Sequence, residues 1–218
     1  LKKTIMKTIL LAILCSFSGV LFSMNNLPDT IMLPAPDTSG GMPLMQALHQ
    51  RSTHRSFSDK ELSLQQLSDL LWAAFGINRS DSGRRTAPSA RNSQETDLYV
   101  ALPAGTFLYN ARLHRLIPVL GIDIRSDTGH QPFTQDAAVV IIMVTNFDKL
   151  GANMSDENKL FYSATDVGYI SQNMYLYCAS EGLASVVLGS VNREQLARHL
   201  NLNENQKVLL TQCVGYRK

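Results

Sequence analysis

Cysteine is scarce, with three in 218 residues, at positions 15, 178 and 213. That is too few for the disulfide framework of a small secreted domain. Cys178 and Cys213 lie in apolar runs, which favours buried thiols over a bridge. Charged residues make up only 17% of the chain, for a formal net charge of +2, and no block of one sign stands out. Nothing here argues for a nucleic-acid partner. No GxGxxG follows a strand pattern and no GxxxxGK[ST] occurs, so neither common nucleotide loop is present. There is no GxSxG elbow. The five histidines, His49, His54, His114, His130 and His199, show no ligand spacing with cysteines or acids, which argues against a zinc site. Paired carboxylates need not be neighbours in sequence, and none stands out. The longest charge-free apolar run, Ile9 to Phe22, is shorter than the roughly 20 residues a membrane-spanning helix needs.

That run follows Lys2, Lys3 and Lys7, which gives residues 1–23 the form of a signal peptide with cleavage after Ser23. The expectation is an exported, periplasmic protein with no stable membrane insertion once the segment is removed. Lipidation at Cys15 and an uncleaved anchor are the alternatives, and Leu14 is large for a lipidation site. Removal of three of the twenty basic residues leaves seventeen against eighteen acidic ones, a net charge of −1. The 44% hydrophobic content predicts one globular domain of ordinary size.

Residues 24–41, with three prolines and two glycines, read as an extended leader and not a folded element. The domain proper spans 42–218. A short helix is predicted from Pro43, with Leu44 and Leu48 on one face. Ser63 and Gln66 form a capping box for a helix carrying Leu64, Leu67, Leu71 and Phe75, stopped by Gly76. Residues 97–102 and 106–109 read as a hairpin around Pro103-Ala104-Gly105, with 112–120 adding to it. The apolar run 137–144 suits a strand buried on both faces. Residues 163–181 form the longest helical pattern, with Val167, Ile170, Met174 and Tyr177 on one face. Ala164, Gly168 and Ser171 form a small-residue face open to another helix. A strand at 184–188, a helix at 192–200 and a strand at 207–214 complete an α+β pattern, or a helix-flanked mixed sheet.

Two polar segments remain. In RSTHRSF an extended backbone puts Arg51, Thr53 and Arg55 on one face. Two guanidiniums flanking a hydroxyl suit a phosphate and a polar ring edge; a solvated basic loop is the bland alternative. In TAPSARNSQ, Pro88 and Ser89 favour a fixed turn, while Asn92 and Gln94 offer amide donors and acceptors. Its alternative is a turn that satisfies its own backbone.

In order along the chain, RSTHRSF, LSDLLWAAFGINR, TAPSARNSQ, DVGYISQNMYLYCASEGLASVVLGSVN and CVGYRK resemble the nitroreductase family of flavin enzymes over residues 42–218. The resemblance implies an α+β fold with a mixed, mainly antiparallel sheet flanked by helices, and a domain-swapped type of homodimer binding FMN between subunits. It implies that Arg51, Ser52 and Thr53 hold the phosphate, ribityl and ring region. Arg55 would meet the pyrimidine edge, where a cation stabilises the reduced flavin. Pro88, Ser89, Ala90 and Asn92 would cover the flavin of the partner subunit. Gly189, with Leu188 beside it, would bring a backbone N–H to flavin N5, an approach glycine permits. Gln131 is a further candidate for the pyrimidine edge, and Arg217 or Lys218 for the phosphate. The implied reaction passes electrons from NAD(P)H to a nitroaromatic, quinone or similar small aromatic acceptor, with no side chain required as acid or base. Phe107, Tyr109, Phe133 and Phe161 are candidates to stack on substrate, against core or interface roles. The alternatives are a flavin dehydrogenase acting on a small ring or peptide-like substrate, a non-catalytic FMN store, and a flavin-free dimeric binding module.

Overall fold

Alternation along one central strand organises the molecule. In β7 (Val139–Asn146) seven of eight residues are buried. Val139, Ile141 and Met143 join the core on one face, and Val140, Ile142 and Val144 join the core on the other. Successive side chains of a strand point to opposite faces, so a strand covered on both sides reads as one continuous apolar run.

The computed structural model describes residues 27–218; the segment 1–23, expected above to be a signal peptide, lies outside the described residues. Around β7 a seven-stranded sheet is built in the order β1-β6-β5-β4-β7-β9-β8. Its other members are β1 (Ile31–Met32), β4 (Thr96–Leu102), β5 (Gly105–Asn110), β6 (Arg115–Leu120), β8 (Ala184–Leu188) and β9 (Gln206–Gly215). Every pairing in it is antiparallel. A separate two-stranded ribbon, β2 (Ile77–Arg79) with β3 (Arg84–Arg85), was not foreseen in the sequence.

One face of the sheet packs on α2 (Leu64–Phe75) and α3 (Asp156–Ser180), which supply Leu67, Leu70, Leu71, Val167, Ile170 and Met174. The other face packs on α4 (Arg193–His199) and the chain from Ile124 to Ala137. The capping box at Ser63 and Gln66 starts α2, and Gly76 caps its end.

Three expectations change. The leader is not a free extended arm: Ile31 and Met32 pair with Leu116 and Arg115, and Ser68 Oγ donates to the Pro34 carbonyl at 2.6 Å. Leu44 and Leu48 of α1 (Leu44–Gln50) do not face a core; both are exposed, and Ala47 is the buried residue of that helix. Helix α3 begins seven residues earlier than its apolar pattern, because Ser155 caps it by accepting from the Asn158 N–H at 3.3 Å. Its first two turns expose Leu160, Phe161 and Tyr162, so burial periodicity does not mark them. On the small-residue face, Ala164 and Gly168 are exposed, whereas Ser171 is buried.

Candidate active site

The site is assembled on the edge strand β8 and on helix α3. An edge strand exposes unpaired backbone groups that must be covered. Here the strip that follows α1 covers them: the His54 N–H donates to the Ser185 carbonyl at 2.9 Å. One residue of α3, Tyr175, completes the cover. Its hydroxyl accepts from the Val187 N–H at 2.9 Å and lies 3.3 Å from Thr53 Oγ1. The Arg51 guanidinium sits over the same ring, 5.5 Å from its centroid. Arg51 and Thr53 thus share one neighbour, as alternation on an extended strip requires. Ser52 is exposed and its Oγ lies 2.8 Å from His54 Nε2. Arg55 is exposed. Among the described residues, no carboxylate forms a salt bridge with Arg51 or Arg55. Burial, and then the charge of Arg217, hold the His54 imidazole below its ordinary pKa, which keeps it neutral beside the two arginines.

The chain's end runs alongside. Ser58 N–H donates to the Tyr216 carbonyl at 3.0 Å, and Phe57 bridges Arg217. Arg217 is therefore the terminal cation whose field reaches the strip. Lys218 lines a separate cavity of about 630 Å³ with Phe57, Arg125 and Asp136.

At the far end of β8, Leu188 is buried and Gly189 is exposed. Arg193 of α4 fixes this end by donating to the carbonyls of Gly189 (3.1 Å), Val208 (3.1 Å) and Leu209 (2.9 Å). The loop at Gly129 lies so close that a Cβ there would fall 2.7 Å from Leu188 Cδ1 and 3.0 Å from Gln131 Oε1. Gln131 is thereby brought to the β8 end, and its Oε1 is buried with no hydrogen-bond partner among the described residues.

Within one chain, Pro88, Ser89, Ala90 and Asn92 stand apart from the strip. They pack on α3 at Asp166, whose Oδ2 accepts the Ala90 N–H at 2.7 Å. Asp166 and Tyr175 are nine residues apart on that helix, or roughly 13 Å at 1.5 Å per residue. Part of the loop does satisfy itself: Ser89 Oγ accepts the Gln94 N–H at 2.9 Å, and Asn92 Oδ1 accepts from Gln94 Nε2 at 3.2 Å. Pro88, Arg91 and Asn92 remain exposed.

Of the four aromatic candidates, two are corrected outright. Phe107 is fully buried, and Tyr109 is buried with its hydroxyl 3.0 Å from His114 Nδ1, so neither can meet a substrate. Phe133 is half-buried, 6.2 Å from Phe57. Phe161 stands exposed on α3. The sequence reading also missed Tyr175, Arg193 and the Asp166–Glu95 pair. The last had a signal: Asp166 falls between Ser163 and Ile170 on the buried stripe of α3, where a carboxylate is out of place.

The nitroreductase family model matches residues 48–216. The chain belongs to the nitroreductase family. A solved structure from Ralstonia eutropha JMP134 that carries the nitroreductase name is 43% identical, with a TM-score of 0.83 over 88% of this chain and 90% of that one. A curated Methanocaldococcus jannaschii protein that carries the same name is 26% identical over 192 residues, 84% of this chain and 96% of the relative. An NADPH:FMN oxidoreductase from Vibrio harveyi, solved with NAD+, shares the fold at a TM-score of 0.61 and 17% identity, over 80% of this chain and 69% of that one. Nitroreductases are flavin-dependent oxidoreductases, and the α+β architecture of this chain is theirs.

Proposed function

We propose that this nitroreductase binds FMN between two copies of the chain and uses it to reduce nitroaromatic, quinone or similar small acceptors with electrons from NAD(P)H. The observation that carries the reading is Tyr175. Its single hydroxyl ties Thr53 of the arginine strip to Val187, two residues before Gly189. A cationic strip and a glycine-ended strand are thereby held side by side on one edge of the sheet.

The residues fit the cofactor. Arg51 and Arg55 have no described carboxylate partner, and FMN supplies a counterpart to each, the phosphate dianion to Arg51 and the electron-rich pyrimidine edge to Arg55. Gln131 Oε1 is a buried acceptor in want of a donor, which the pyrimidine edge of a flavin carries. Arg51, Ser52 and Thr53 would hold the phosphate and ribityl, with Arg217 favoured over Lys218 as the C-terminal contribution. Arg55 would place positive charge at the pyrimidine edge and so favour the reduced form. Gly189 would let the backbone come close to the ring. Pro88, Ser89, Ala90 and Asn92 would cover the ring of the other subunit. Bound FMN supplies hydride acceptance at N5 and two-electron delivery to an acceptor. The chain's own part is to orient, to set the local charge and to exclude water.

Titration of apoprotein with FMN tests the reading. Arg55→Ala is expected to weaken binding about tenfold or more, since charge-assisted contacts contribute about 1.5–3 kcal/mol, while the melting temperature of the apoprotein stays put. Unaltered affinity and reduction rate in that variant would remove Arg55 from the site. Anaerobic bleaching by NADH or NADPH, with recovery on adding a quinone, tests donor and acceptor. A yellow protein that resists both donors would assign the electrons to another source, a point with force if residues 1–23 direct export.

A further inference from the structure

Beneath the loop that covers the flavin lie two buried carboxyl groups. Glu95 is fully buried, and Asp166 is 4% exposed. Ser93 Oγ donates to Glu95 Oε2 at 2.7 Å, and the Ala90 N–H donates to Asp166 Oδ2 at 2.7 Å. Glu95 Oε1 has no described partner, and the two carboxyl groups anchor one tight turn, in which the Ser93 N–H donates to the Ala90 carbonyl at 3.0 Å. Two carboxylates so placed repel unless one holds a proton. The loop they anchor is strained: Arg91, Asn92 and Gln94 all hold positive φ, at 56°, 55° and 48°, which costs non-glycine residues energy. It persists only while its anchors hold it.

We propose that Asp166 and Glu95 are positioning residues, and that a proton on Asp166 latches the Ser89–Gln94 loop in the shape that covers the partner's flavin. The inference rests on the flavin reading above. Burial, above all, pushes the Asp166 carboxyl up to about 6; the Ala90 amide opposes this, and the charge and hydrogen bond of Glu95 add to it. No cation among the described residues relieves the pair. From the turn after β7, Lys149 reaches the Gln94 carbonyl at 3.5 Å and Asp97 at 3.0 Å. From β3, Arg85 donates to Gln94 Oε1 at 2.9 Å. Arg91 belongs to the loop and is exposed. From β7 and α3, Thr145 and Ser163 present only hydroxyls, 2.8 Å apart. The closed loop therefore binds a proton that an open loop, with an ordinary Asp166 carboxyl, releases. Linkage then makes closure weaken as pH rises from about 4 to about 6 and stay weak above.

Asp166→Asn mimics the protonated state, since its Oδ1 still accepts from Ala90 and its amide donates to Glu95. Glu95→Gln does the same from the other side and serves if the first variant fails to fold. Two readouts are needed. Hydrogen exchange on residues 89–95 of the apoprotein, corrected for intrinsic rates, is expected to lose protection between about pH 4 and about pH 6 in the unaltered protein and to stay protected in either variant. FMN affinity at pH 7.5 is expected to rise about tenfold or more in either variant, one pKa unit being a factor of ten and Asp166 moving from 3.8 to about 6. Protection that does not change with pH, or the same pH profile in both variants, overturns the latch. A loop that titrates while FMN affinity stays flat also overturns the proposal, because the latch then does not serve the cofactor. Protein that takes up no FMN at any pH marks the failure of the flavin reading instead.

Discussion

At the scale of single residues, the site depends on a few hydroxyls and charges with no slack. Tyr175→Phe keeps the ring under Arg51 and removes the acceptor for Val187. The expected cost is about 1 kcal/mol of stability, with a larger relative loss of FMN affinity, because a stranded N–H and a loosened strip fall on the binding face. Equal small losses in both, measured by urea unfolding and FMN titration, would make Tyr175 merely structural. A second polar chain anchors the leader. Ser68 Oγ donates to Pro34 and so accepts from His114 Nε2 at 2.6 Å, which leaves Nδ1 to accept from Tyr109. That arrangement holds neutral imidazole, and burial lowers the His114 pKa from 6.5, opposed by Pro34 and Asp69. A depressed histidine contributes stability that is present above pH 6.5 and lost as pH falls toward its folded pKa. Urea unfolding at pH 7.5 and pH 5 is expected to show that decline, and His114→Gln to flatten this share of it. The same slope in the variant would clear His114. Cys178 and Cys213 are free, buried and pushed up to about 12 by burial, so neither is a ready nucleophile.

At the scale of elements, local rules held at the start of α2 and at the turn between β4 and β5. The capping box at Ser63 and the hairpin around Pro103-Ala104-Gly105 were legible because each has a fixed local chemistry, and the structure tightens the turn to Pro103–Ala104 by pairing Leu102 with Gly105. Gly105 follows that turn with φ of 140° and no room for a Cβ, which would fall 2.5 Å from the Leu120 carbonyl oxygen. Gly105→Ala is therefore expected to lower stability by about 1–3 kcal/mol, read as a shifted urea midpoint with unchanged slope. The run 137–144 read as a buried strand because both faces of β7 are covered. What stayed illegible either carried no periodic pattern or was set by contacts distant in sequence. The β2–β3 ribbon is five residues of strand with no apolar alternation, and it forms under the neighbouring Trp72 and Phe75 turn of α2. The pairing of Ile31 with Leu116 spans 85 residues of chain. Motif order located Arg51–Arg55 and Leu188–Gly189, yet nothing in it pointed to Tyr175 as the residue joining them.

At the scale of the whole molecule, the two segments proposed to hold the flavin do not meet within one chain. The arginine strip sits at the Tyr175 end of α3 and the Ser89–Asn92 loop at Asp166, roughly 13 Å along the helix. The outer surface of α3 exposes Leu160, Phe161, Tyr162 and Tyr169, and α1 exposes Leu44, Met45 and Leu48. In the proposed dimer a second copy seated there would cover these exposed apolar side chains and bring its loop to the first copy's strip. Light scattering of the flavin-loaded protein is expected to give twice the chain mass of 24.1 kDa, less any segment removed. Subunit mixing addresses the arrangement most directly. Arg55→Ala spoils the strip, and Asn92→Gly removes the loop amide while keeping its left-handed backbone easy to adopt. Each homodimer is expected to bind FMN weakly. Mixed dimers of the two variants carry one intact site, and are expected to take up one FMN per dimer at near-normal affinity. Mixed dimers that bind no better than either parent would contradict a site shared between subunits.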